Sequence, residues 1–154
     1  MTKGSFEVSG DPNLLSGYIS ADVYEIGGVS PKNIIRIDQD WFVRLNWALE
    51  GTLKSMICGT WCIRLHLESI GKGEELDLPG AYREVEVPLD PCGDGRYTYD
   101  FVVKAGTVKP EHCSTPFKLA TTVVYKNACN LPGPMAGFVE GSILQFYDPG
   151  KIKP

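Results

Sequence analysis

From Trp41 to Glu50 the apolar residues Trp41, Val43, Leu45, Trp47 and Leu49 take every odd position, and Arg44, Asn46 and Glu50 stand between or beyond them. From Trp61 to Glu68 the pattern repeats, with Trp61, Ile63, Leu65 and Leu67 apolar and Cys62, Arg64, His66 and Glu68 alternating with them. Successive side chains on a strand point to opposite faces, so each run presents one apolar strip. Together the two strips hold all three tryptophans of the chain. The pattern predicts two strands joined by a short polar connection, as the central hairpin or corner of an all-β domain, with Trp41, Trp47 and Trp61 buried.

The same period recurs along the chain. Tyr18 to Ile26 alternates and stops at Gly27-Gly28, a pair suited to a turn. Asn33 to Ile37 is apolar and β-branched, and the polar Asp38, Gln39 and Asp40 predict a bulge or bend before Trp41. Arg83 to Leu89 alternates through Val85 and Val87, and Pro88, which cannot donate to a ladder, marks it as an edge strand. Arg96 to Ala105 sets Tyr97, Tyr99, Phe101 and Val103 on one face; Phe117 to Tyr125 and Phe138 to Tyr147 complete the series, with Gly141 permitting a bulge. The acidic stretch Ser69 to Tyr82, Gly106 to Pro116 and Asn127 to Pro134 read as loops.

No window places apolar residues at i, i+3, i+4 and i+7 among helix formers, so no substantial α-helix is expected. Seven or eight short strands separated by turn residues predict a single antiparallel β-sandwich, immunoglobulin-like or jelly-roll in connectivity, with a closed β-barrel as the alternative. The likeness to immunoglobulin domains is architectural only, because the cysteines do not flank Trp47 or Trp61 with the long spacing those domains use. Residues 1 to 16 are expected to form an arm or edge strand, residues 17 to 148 the sandwich, and residues 149 to 154 a tail.

Length and charge narrow the functional classes. A chain of 154 residues suits one domain with a real core. The formal net charge of −4 and the absence of a basic block, Lys151 and Lys153 aside, argue against nucleic acid as a partner. Met1 to Asn13 holds no apolar run and no stretch is long enough to span a bilayer as a helix, so a cytoplasmic location without membrane attachment is expected.

An odd count of five cysteines at irregular spacing favours reduced thiols. If successive connections alternate between the two ends of the sandwich, Cys58, Cys92 and Cys129 share one end and His112 and Cys113 the other. Three thiols fall short of a four-ligand zinc site, and Cys58-x3-Cys62 spans about 13 Å if extended, so they are read as small buried hydrophobes or loop thiols rather than as a metal site or a disulfide. Asp90, Asp94 and Asp100 with Gly93 and Gly95 have the turn composition of a loop and not the spacing of a calcium-binding hand. Glu74, Glu75 and Asp77 read as a solvated acidic loop at the other end.

Neither histidine comes with a catalytic constellation. His66 lies between Arg64 and Glu68 on a polar face, and the adjacent side chains of His112 and Cys113 diverge on an extended backbone. No nucleophile-elbow, zinc-protease, phosphate-loop or dinucleotide motif occurs, so a non-enzymatic domain with no cofactor is expected. Sugar-binding sandwiches expose aromatic platforms, yet the tryptophans point inward and leave Tyr18, Tyr24, Phe42 and Tyr82 as the outward aromatics. The surface that remains is Phe42 with Arg44 on one central strand and Arg64, His66 and Glu68 on the other. Aromatic and Arg residues are enriched at protein interfaces, so these five form the expected contact patch, provided both strands share a sheet. The reading is an interaction or assembly module that binds a protein partner or itself through a sheet face or an unpaired edge; a small-ligand or carbohydrate-binding domain is the alternative and an unusual enzyme the third.

Overall fold

A computed structural model describes residues 2–28, 30–70, 84–108 and 116–150. Its strands in chain order are β1 (Thr2–Lys3), β2 (Ser5–Val8), β3 (Ser16–Glu25), β4 (Ile34–Arg36), β5 (Trp41–Glu50), β6 (Gly59–Ser69), β7 (Glu84–Pro88), β8 (Arg96–Val103), β9 (Phe117–Asn127) and β10 (Pro132–Tyr147). The one helical element among the described residues is a 3-10 turn, Lys54–Met56. The strands form two separate sheets, one ordered β1-β3-β5-β8 and the other β2-β10-β9-β6-β7, with β4 added in parallel to the far half of β10. All other pairings are antiparallel. The result is an open β-sandwich, not a closed barrel.

The strips of β5 and β6 pack against each other across the sandwich. Trp41, Val43, Leu45, Trp47 and Leu49 line the inner face of the four-stranded sheet, and Trp61, Ile63, Leu65 and Leu67 that of its partner, all at 2% exposure or less. Trp47 meets Trp61 edge-on at 6.3 Å, and Trp61 also takes the edges of Phe6, Tyr97 and Tyr125. At the other end Trp41 lies 5.3 Å from Phe146. Four rings from both sheets thus converge on the Trp61 indole. The indole N–H groups of Trp47 and Trp61 and the Thr121 hydroxyl find no hydrogen-bond partner among the described residues, so apolar and ring contact outweighs three orphaned polar atoms.

At two connections the structure takes one of the alternatives that the sequence leaves open. The β5–β6 connection is a corner and not a hairpin: Gly51, in a positive-φ conformation at 119°, and the 3-10 turn carry the chain from one sheet to the other. Asp38 to Asp40 form the bend of the two expected alternatives, between separate strand pieces, and not a bulge within one strand. β4 belongs with β10, and the chain turns there to cross between sheets; Asp38 accepts two bonds from Arg36, and Asp40 accepts the Ala105 N–H at 2.8 Å.

The N-terminal segment divides between the layers: β1 borders β3 and β2 borders β10, with the crossing at Gly4. A Cβ at Gly4 would run into the Phe138 carbonyl oxygen, so the crossing requires glycine. Pro88 closes β7, which is an edge strand as expected. β10 begins earlier than the sequence indicates, at Pro132, with its register broken before Ala136 and again between Glu140 and Ile143, beside Gly141.

Candidate functional site

Because β5 and β6 lie in different sheets, the five expected contact residues separate. Phe42 and Arg44 stand on the outer face of the four-stranded sheet, and Arg64, His66 and Glu68 on the outer face of the other. The single patch does not form. Strand alternation places every one of these side chains outward, as they are; the condition for a single patch, that both strands share a sheet, is not met, and a corner and a hairpin leave the same periodicity in the sequence.

On the four-stranded face, register aligns Tyr24, Phe42 and Val102 in one row and Asp22, Arg44 and Asp100 in the next. The Tyr24 and Phe42 rings stack across strands with centroids 5.1 Å apart and planes 14° apart. The Arg44 guanidinium carbon lies 5.4 Å from both centroids, within cation–π range. Its Nε and Nη2 donate to the two Asp100 carboxylate oxygens at 2.9 and 3.0 Å, a fork-to-fork pair that raises the Arg44 pKa. One side chain is therefore fixed by two rings and a carboxylate while 44% of it stays exposed. Each ring gives one face to the other, which leaves a ridge rather than a flat sugar platform.

The opposite face is organised differently. Arg64 pairs with Glu84 at 3.4 Å, Lys126 with Glu86 at 2.7 Å and Lys118 with Glu140 at 3.1 Å, each across strands. Cys62 points to this side but is buried under that layer and donates to Glu84 at 3.3 Å; burial pushes its thiol pKa up. His66 sits opposite Ala120 and Glu68 opposite Lys118. Among the described residues neither carboxylate nor nucleophile bonds the His66 ring.

Phe138 is the residue that sequence reading missed. It projects from this face at 46% exposure, with a shallow groove on either side floored by Ala120, Thr122, Val124 and Ala136. The break beside Gly141 reverses the alternation of β10: Val139 points inward before it and Leu144 and Phe146 after it. Reading the strand back from Leu144 without that reversal puts Phe138 in the core.

Gly59 opposite Asn127 and Thr60 opposite Pro88 place the Cys58, Cys92 and Cys129 loops at one end of the sandwich. All three are exposed thiols, and no group of three metal-ligating side chains gathers among the described residues. Asp90 and Asp94 accept backbone N–H groups two residues on, from Cys92 and Arg96, which is turn chemistry. His112, Cys113, Tyr82, Glu74, Glu75, Asp77, Lys151 and Lys153 lie outside the described residues. Among the described residues no helix is long and apolar enough to cross a membrane.

No protein-family model matches the chain, and no curated protein does. Among solved structures, a Niemann-Pick type C2 protein from Japanese carpenter ant is similar in course, with 11% identity over 92% of this chain and 98% of that one and a TM-score of 0.39. A likeness of that size leaves function to be argued from this chain's own residues.

Proposed function

We propose that this chain is a non-catalytic recognition module that holds a protein partner on the outer face of its four-stranded sheet, at Tyr24, Phe42, Arg44 and Asp100. The observation that carries the reading is Arg44, exposed yet fixed by two carboxylate bonds and two ring faces. A long side chain already held in one geometry loses little freedom when a partner docks, and Arg beside aromatic rings is the composition of interface hot spots. The apolar row Tyr24–Phe42–Val102 next to the charged row Asp22–Arg44–Asp100 fits a partner that sets an apolar side chain beside a polar one. Exposed thiols at Cys58, Cys92 and Cys129 suit a reducing compartment, and a cytoplasmic location is part of the proposal.

The test compares quantitative co-purification by the wild type with that by Phe42→Ala, Arg44→Ala and, as a control on the other face, Phe138→Ala. A partner lost with the first two and kept with the third supports the reading. A partner kept by all three variants rejects it.

A second reading, a small apolar or sugar ligand on the opposite face, is favoured by Phe138, whose ring stacks on no other ring among the described residues and stands between two grooves. Thermal shift with a sugar and small-ligand panel tests it. A shift that disappears in Phe138→Ala would support it.

A further inference from the structure

The sheet edges of this molecule are not alike. β7 is guarded by Pro88, Glu84 and Glu86, while β1 has two residues, β2 four and β4 three. Short strands, proline and charge are the usual means of keeping an edge from pairing. β8 is neither short nor interrupted by proline: eight residues, Arg-Tyr-Thr-Tyr-Asp-Phe-Val-Val, run in unbroken register with β5, and its two charges, Arg96 and Asp100, are opposite in sign. Among the described residues it is bonded on one side only.

The direction of its bonds is fixed by one observation. Leu49 donates to the Gly95 carbonyl at 2.8 Å, so, counting in steps of two, Tyr97, Tyr99, Phe101 and Val103 face β5. The N–H and C=O groups of Arg96, Thr98, Asp100 and Val102 then point away from the sheet, and among the described residues no strand receives them.

We propose that β8 pairs antiparallel with β8 of a second copy of this chain, about a two-fold axis at Thr98. Charge selects the register. With Thr98 opposite itself, Arg96 of each copy faces Asp100 of the other. Moving the axis one step toward Val103 along the free-edge residues sets Asp100 against Asp100, and intermediate registers leave both charges unmatched. Arg96 has no acidic partner of its own among the described residues, and Asp100, bonded to Arg44 on one side, keeps lone pairs for a second guanidinium. The joined row reads Asp22, Arg44, Asp100 and then Arg96 of the second copy, alternating in sign across the seam. The half-buried rims of Tyr97 and Tyr99 would be covered at the same time. Two four-stranded sheets become one eight-stranded sheet with two Arg44 clusters on a continuous outer face. The inference stands independently of whether that face binds another protein.

The experiment is light scattering over a concentration series, joined to a crosslink that reads the register. Thr98→Cys and Val102→Cys are each made with Cys58, Cys92, Cys113 and Cys129 replaced by Ser. In a hydrogen-bonded antiparallel pair the two Cα atoms at position 98 lie about 5.5 Å apart, within disulfide range, whereas those at position 102 lie about 27 Å apart at roughly 3.3 Å per residue. The wild type is expected to dimerise, Thr98→Cys to form a linked dimer on mild oxidation and Val102→Cys to form none. Thr98→Lys, which sets two ammonium groups against each other, is expected to weaken the dimer about tenfold or more. A monomer at every concentration, a dimer that Thr98→Lys leaves unchanged, or crosslinking no stronger at position 98 than at 102 overturns the proposal. A dimer lost only with Arg44→Ala would assign self-association to the sheet face instead and would overturn it equally.

Discussion

The two outer faces of the sandwich use the same raw material, cross-strand pairs of opposite charge with an aromatic residue nearby, and arrive at different surfaces. On the four-stranded face the aromatic and ionic parts are one unit, because Arg44 is bonded to Asp100 and covered by Tyr24 and Phe42 together. On the opposite face they are separate: Arg64, Lys118 and Lys126 each answer one carboxylate, and Phe138 stands clear of all three. The difference comes from strand order. Tyr24 and Phe42 sit on adjacent strands in register, whereas Phe138 has Thr122 and Ser5 as its cross-strand neighbours, and neither offers a ring.

The most drastic way to erase the contrast is to remove what both sheets share. Trp61→Ala deletes the ring on which Phe6, Trp47, Tyr97 and Tyr125 converge and is expected to cost about 3–5 kcal/mol, read as a lower urea midpoint, with both faces losing definition together. Arg44→Ala is next: partner affinity should fall about 30-fold or more, the scale of a hot-spot loss of about 2 kcal/mol, while folding stability drops by about 1 kcal/mol or less. Arg64→Ala is its counterpart on the other face and should leave partner binding unchanged by titration calorimetry.

Smaller effects sharpen the picture of the layer between. Thr121 is buried with a hydroxyl that has no partner among the described residues, so Thr121→Val, which exchanges that oxygen for a methyl group of like size, should raise stability by about 1 kcal/mol in urea unfolding. The smallest effect is at Asp40, where the Ala105 N–H and then Lys104 hold the carboxyl pKa below its ordinary value. A depressed folded pKa gives stabilisation that is complete above about pH 4, where the unfolded carboxyl ionises, and is lost as pH falls through the folded value. Asp40→Ala should therefore melt below the wild type at pH 7, with the gap closing in acid, as thermal scans across pH would record.

Much of this was legible in the chain because strand periodicity reports which way a side chain points. The buried tryptophans, the outward Phe42, Arg44, Arg64, His66 and Glu68, the edge at Pro88 and the irregularity at Gly141 all follow from alternation and proline chemistry. What alternation does not encode is which sheet a strand joins. Residues 51 to 58 look the same whether they close a hairpin or cross a sandwich, and the crossing decided that Arg44 and Arg64 are on opposite sides of the molecule. Phe138 and the early start of β10 were hidden for a related reason: a one-residue irregularity reverses every side chain beyond it, and Pro132 and Pro134 read as loop residues although the Pro134 carbonyl accepts a bond from Ser9 at 2.9 Å.

The crossing at Gly4 has a practical side. Because Thr2–Lys3 and Ser5–Val8 border opposite layers, a version trimmed to begin at Ser16 would bare the flanks of β3 and β10 simultaneously, and a shortening meant to tidy the molecule for crystallisation would instead be expected to make it precipitate.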